Sequence, residues 1–291
     1  MTETIMMIHG MWGGPWHWEN YKSIFEADGY KCITPTLRYH DISPHTEPDP
    51  RLGVTSLLDY AEDLETEIRD LKSHGLAAPP VIIGHSMGGL LAQILANRGL
   101  PKAAVLLTPA PCAPNTTIME WSVTKSFWSA MMNWGSVDSS GKIRWGARKT
   151  FPLRSRFGSK PYMPTFEEAV YSMMDLLSPD EQRQAYDKFV YESGRAAWEI
   201  GFWFLDLFRR KAAWIDPSKV NCPVLVVAGS LDRITPASSV RKVAAKFKAV
   251  PNPEAPRHYK EFPNHTHWVL AEPGWREIAE YVSKWLKVVL K

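Results

Sequence analysis

Ser86 stands in Gly84-His85-Ser86-Met87-Gly88, a G-x-S-x-G pattern, with an apolar run at 80–83 before it and a Leu- and Ala-rich stretch at 88–98 after it. A serine hydroxyl is a weak nucleophile at neutral pH. It becomes a strong one when a histidine takes its proton and a carboxylate holds that histidine in the right tautomer. For a nucleophile on a strand-to-helix turn, the partners follow in the chain order Ser, then acid, then His. Asp232 follows the apolar run 223–228 and fits the acid. His265 and His267 both lie in the loop after 259–262 and could supply the base. His267 is preferred because it directly precedes Trp268-Val269-Leu270, the lead into the last helix. Asp206 and Asp216 are weaker rivals for the acid, one inside an inserted region and the other ahead of the strand. Plainer roles exist for each: Asp232 as a turn or cap residue, either histidine as a surface loop residue, and His85 as a packing residue pointing away across the turn.

Acyl transfer also needs donors aimed at the developing oxyanion. The N–H of Met87, the residue after the nucleophile, suits one. The N–H of Met11, in His9-Gly10-Met11-Trp12-Gly13-Gly14, suits the other, with His9 orienting that loop. The His265/His267 pair has no third ligand at metal spacing, so no metal and no cofactor are expected.

The elements that must carry these residues alternate in type. Apolar runs at 4–8, 30–34, 80–83, 103–107, 223–228 and 259–262 read as strands buried on both faces. Amphipathic stretches at 16–28, 54–74, 88–98, 237–247 and 275–290 read as helices between them. The crowded glycines around Ser86 match a sharp turn from strand to helix. This predicts a doubly wound, mostly parallel sheet with helices on both faces. Between 109 and 215 the pattern breaks into aromatic-rich helical stretches at 118–134, 165–177 and 180–210. The expected organisation is therefore a core of 1–108 plus 216–291 and a helical cap at 109–215.

The 291 residues suffice for a large core without disulfides. A net charge of +3, from 34 Lys+Arg against 31 Asp+Glu, argues against nucleic acid as a partner. Three widely separated cysteines, Cys32, Cys112 and Cys222, read as small buried groups in a reducing compartment. No basic start with a long apolar stretch and no run of about 18 apolar residues is present, so the expectation is a soluble, cytoplasmic protein.

The His9–Gly14 loop, the Gly84–Gly89 turn, Gly229-Ser230-Leu231-Asp232-Arg233-Ile234-Thr235-Pro236 and the His267-Trp268 segment together resemble the α/β-hydrolase superfamily. The likeness is to lipase- and esterase-like members, including the plant methylesterase and hydroxynitrile lyase branch. It covers nearly the whole core but not the cap in detail. It implies a triad of Ser86, Asp232 and His267, with Met11 and Met87 at the oxyanion hole. Many members begin with two antiparallel strands, so a shortened N-terminal sheet is expected here.

The resemblance and the aromatic cap together imply a hydrolase for an apolar, small-molecule ester. Trp12, Trp128, Met132, Trp198 and Phe202 are candidates to line its pocket, although aromatic and Met stripes more often form a cap's own core. Arg144, Arg148, Lys149, Arg154 and Arg156 form a basic stretch that reads as solvated surface. The same superfamily includes hydroxynitrile lyases, cofactor-free haloperoxidases, acyltransferases and non-enzymatic hormone receptors. Asp-nucleophile dehalogenases and epoxide hydrolases are disfavoured by Ser86.

Overall fold

A computed structural model describes residues 2–115, 136–137, 143–144, 160–205, 211–250 and 252–291. Six strands form one sheet: β1 (Thr4–Ile8), β2 (Lys31–Ile33), β3 (Val81–His85), β4 (Ala103–Leu107), β7 (Val224–Gly229) and β8 (Arg257–Phe262). Their order is β2-β1-β3-β4-β7-β8, and every pairing is parallel. Chain order reverses direction between β1 and β3, which opens a crevice at their carboxyl ends where sheets of this kind hold ligands.

Alternate residues of each strand feed two buried layers. Met6, Ile8, Ile82, Leu106 and Val226 face α2 (Leu57–Asp70), α3 (Met87–Asn97) and α7 (Ala237–Lys248). Ile5, Met7, Ile83, Val105 and Val227 face α1 (Glu19–Ala27) and α8 (Trp275–Val289). Helices on both faces explain why these strands read as continuous apolar runs rather than alternating ones. The helix expected over 54–74 starts later, because Ser56 caps α2 and forms a reciprocal box with Asp59.

Between β4 and β7 the chain leaves the sheet. It contributes a two-stranded antiparallel ribbon, β5 (Ser136–Val137) with β6 (Ile143–Arg144), which differs from the strand-free segment read from the sequence. Strands of two residues are too short to show a periodicity. The helix expected at 165–177 is α4 (Phe166–Ala169) continued by a π-helical turn, Val170–Met174. The stretch expected at 180–210 is not one helix but α5 (Pro179–Tyr186) and α6 (Gly194–Gly201). The break between them places Glu192 against the core. There it accepts hydrogen bonds from His40 Nε2 at 3.0 Å and Tyr60 Oη at 2.7 Å, and is 1 % exposed. The stretch expected at 118–134 lies outside the described residues, as do Trp128, Met132, Asp206 and four of the five basic residues; of the fifth, Arg144, only the strand backbone is described.

Close packing at the β3–α3 turn leaves no room for side chains. A Cβ on Gly88 would lie 2.1 Å from the Ile8 carbonyl oxygen, and one on Gly84 2.1 Å from that of Gly88. Both obstacles are main chain and cannot rotate away. Gly88→Ala is therefore expected to cost about 3 kcal/mol or more, read as a large drop in urea midpoint. A midpoint within error of the parent would show that the turn is looser than described.

Candidate active site

Ser86 sits at the junction of β3 and α3 with φ 54° and ψ −119°, a left-handed backbone that costs a non-glycine residue about 1–3 kcal/mol. The turn is held by Ser86 N–H donating to Leu107 O at 3.0 Å and by Ser86 O accepting from Gly89, Leu90 and Ala110. Beside it runs the loop after β1. A Cβ on Gly10 would come within 3.0 Å of the Ser86 Cβ, so the two loops touch. Met87 is the first residue of α3, so its N–H has no acceptor within the helix.

Asp232 follows β7 and is 5 % exposed; His267 follows β8 and is 2 % exposed. His267 Nδ1 lies 2.8 Å from Asp232 Oδ2, and its ring donates there. The other Asp232 oxygen accepts from the backbone N–H groups of Ile234 and Thr235, each at 2.8 Å, and the Thr235 hydroxyl lies 2.7 Å from Oδ2. A carboxylate with this many donors is fixed in orientation. His265 is turned elsewhere: its Nδ1 lies 2.8 Å from Glu272, a fully buried carboxylate that also accepts from the Thr266 N–H at 3.0 Å. Of the two loop histidines, His267 is the one that meets Asp232. Asp216 caps a short turn at Pro217–Lys219 instead.

His85 does more than pack. Its Nε2 lies 2.9 Å from the His267 carbonyl oxygen and donates to it, linking the residue beside Ser86 to the residue bound to Asp232. The two rings stand 4.9 Å apart. Sequence spacing gave no hint of this bond, because the two positions are distant in the chain. His9 accepts from the Leu37 N–H through Nε2 and donates through Nδ1 to Gly10 O at 2.8 Å, which holds the Gly10–Met11 loop.

Three aromatic candidates lie among the described residues. Trp12 is 3 % exposed, has φ 61°, and donates from Nε1 to Tyr162 O at 3.1 Å, while Val190 N–H donates to its carbonyl. It ties the β1 loop to the inserted segment. Met11 and Phe202 both pack against the Ala197–Trp198 pair, with the Trp198 and Phe202 rings 6.3 Å apart. Among the described residues no group of three or more His, Cys, Asp or Glu is arranged to hold a metal ion, and no helix is long and apolar enough to cross a membrane.

The family model for the alpha/beta hydrolase family matches residues 5–280. The chain belongs to that family. Among curated proteins it is similar to methylesterase 9 of Arabidopsis thaliana, 27% identical over 112 residues, 38% of this chain and 41% of that protein. Among solved structures it is similar to the methylesterase MES16 from Arabidopsis, at TM-score 0.65 and 13% identity over 99% of this chain and 100% of the other. It is also similar to the monoacylglycerol lipase of Paleococcus ferrophilus, at TM-score 0.63 and 18% identity over 98% and 95%. At such identities the two structures show a shared α/β-hydrolase fold.

Burial sets the charge of the histidines behind the site. It is the main cause lowering His9 to about 4, helped by the neighbouring His40, and lowering His85 to about 3, helped by His267. An unfolded histidine titrates near 6.5. Between that value and the depressed ones, the unfolded chain binds protons the folded one refuses, so this stabilisation is full above pH 6.5 and is lost as pH falls. The slope is about 1.4 kcal/mol per pH unit for each histidine. His40 is shifted upward, because Glu192 outweighs its burial, and so acts above pH 6.5. A thermal melting temperature that falls steadily from pH 6.5 to 4 is expected, with a shallower fall in His9→Gln. A flat profile over that window would contradict these proton states.

Proposed function

We propose that this chain is a serine esterase that cleaves an uncharged, largely apolar carboxylic ester through an acyl-enzyme on Ser86. The observation that carries this reading is the His267 Nδ1–Asp232 bond at 2.8 Å, in a loop whose His267 carbonyl accepts from His85, the residue before Ser86. With Nδ1–H committed to Asp232, Nε2 of His267 is left as the acceptor. It takes the Ser86 proton as Oγ attacks the ester carbon, and the carbonyl oxygen becomes an oxyanion. The N–H groups of Met11 and Met87 are the proposed donors to that oxygen. The close approach of Gly10, the residue before Met11, to Ser86 and the position of Met87 at the start of α3 support this. Collapse of the adduct expels the alcohol, which takes the proton from His267. Water then attacks the acyl-Ser86 with the same histidine as base, releasing the acid.

The substrate class follows from the surroundings of the proposed oxyanion loop. The Ala197–Trp198 pair, against which Met11 and Phe202 both pack, brings apolar surface to the proposed oxyanion loop. The relatives named as methylesterases and lipase point to an ester as well. Residues 109–215 are proposed to act as the cap over the site, with 1–108 and 216–291 as the catalytic core.

Hydrolysis of p-nitrophenyl esters, from acetate to octanoate, tests the reading. Ser86→Ala is expected to lose about 10⁴-fold or more in kcat, and Asp232→Asn about 10⁴-fold, since the wrong tautomer of His267 is then favoured. Undiminished ester turnover by Ser86→Ala, or turnover of cyanohydrins in place of esters, would refute it.

A further inference from the structure

The loops carrying Asp232 and His267 leave the sheet from different strands, β7 and β8. Both are fastened to one feature of the inserted segment, the π-helical turn Val170–Met174 and the Asp175 that follows it. Arg233 is the residue after Asp232. Its Nη1 lies 2.7 Å from Asp175 Oδ2 and donates to Tyr171 O at 2.6 Å, and its guanidinium stands 4.6 Å from the centre of the Tyr171 ring. Thr266 is the residue before His267. Its hydroxyl lies 3.2 Å from Met173 O. The next residues along, Ile234 and Trp268, join Met173 and Met174 in one buried cluster.

Each half of the acid–base pair thus has its chain neighbours held by the same turn, by the Arg233 Nη1 on one side and a hydroxyl on the other. A π-turn is rare in a helix and gathers at functional sites. Arg233 meets this one with charge, donor geometry and ring face together, a combination that lysine does not reproduce. The side chain is about one third exposed, so its bond to Asp175 alone would contribute little to folding. Its placement one residue from Asp232 gives it leverage on geometry instead.

We propose that Arg233 is a positioning residue: by anchoring the Asp232 loop to the Tyr171–Asp175 turn, it lets the seating of the inserted segment set the alignment of Asp232 with His267. This rests on reading those two residues as the acid–base pair. It predicts that the segment controls the rate of the chemical step as well as access to it, because a shift of about 1 Å in such a pair can cost 10²-fold in rate.

The test compares Arg233→Gln, Arg233→Lys and Asp175→Asn with the parent protein. Two measurements are needed: steady-state kinetics on p-nitrophenyl acetate from pH 5 to 9, and the far-downfield proton NMR resonance of the His267 Nδ1–H bound to Asp232. Arg233→Gln is expected to lower kcat by roughly 10- to 100-fold with little change in KM, to move the acidic limb of the kcat/KM profile, and to shift or broaden the resonance. Arg233→Lys should recover part of each effect, and Asp175→Asn should reproduce them in weaker form. The resonance requires no turnover, so it tests the anchor even if Ser86→Ala shows the esterase reading to be wrong. Parental kinetics and an unmoved resonance in Arg233→Gln would overturn the proposal. So would a rate loss fully accounted for by the unfolded fraction, with the resonance unchanged.

Discussion

The β3–α3 turn exists because nothing but hydrogen stands between two stretches of main chain. Gly88 brings the first turn of α3 against the carbonyls of Ile8 and His9, and Gly84 brings β3 against Gly88 itself. That contact locks the end of β1 to the end of β3, the point where the sheet reverses its winding order. The positive φ of Ser86 is tolerated only because the surrounding bonds, to Leu107 and from Gly89, Leu90 and Ala110, over-determine it. The remaining parts of the site are placed relative to this fixed pair of strand ends. Gly10 touches Ser86 from β1, and His85 reaches from β3 to the His267 backbone.

The inserted segment is secured to this frame by buried carboxylates as well as by apolar contact. Glu192 meets His40 and Tyr60. Glu199 accepts from Ser56 and from the Leu57 N–H at the start of α2, where a helix favours negative charge. The two carboxylates respond differently to their burial. Burial pushes Glu192 up, but His40 together with the Ser193 N–H and the Tyr60 hydroxyl leaves it lowered, whereas Glu199, with Arg195 as its nearest cation, is left raised by burial. A buried charge contributes little net stability even when paired, but losing one partner costs about 3–5 kcal/mol. Such bonds therefore act less as glue than as a specification of one seating, since any slide of the segment would strand a carboxylate. Trp12 adds a further fixed point, its indole bound to Tyr162 and its carbonyl to Val190.

The core was legible in the sequence because its signals are local. Residues 4–8 and 103–107 match their strands to the residue, since a strand buried on both faces must be apolar throughout. Gly84, Gly88 and Gly89 announced a turn because only glycine fits there. What escaped reading depends on residues that meet only after folding. The stretch 180–210 has helical composition throughout, yet it breaks where Glu192 finds His40, some 150 positions away in the chain. His85 looked like a packing residue because its acceptor, the His267 carbonyl, is equally remote. Choosing His267 over His265 rested on a short-range cue, whereas the structure separates them by partner: Asp232 for one, Glu272 for the other.

Those partners also set one imidazole apart from the others around it. His9, His17, His40, His85 and His267 lie in a row of ring contacts, with neighbouring centres 4.9 to 6.2 Å apart. Burial, reinforced by the other histidines, keeps His9, His17 and His85 neutral at physiological pH. His40 is raised, but its proton is committed to Glu192. A base is most effective when its own titration lies near the working pH, so His85, held near 3, is poorly matched to the task despite being the chain neighbour of Ser86. Among the described residues, His267 pairs its Nδ1 with Asp232, and its ring stands 4.9 Å from that of His85, the chain neighbour of Ser86. Proton occupancy at His9, His17, His40 and His85 is thus decided by burial and pairing, residue by residue.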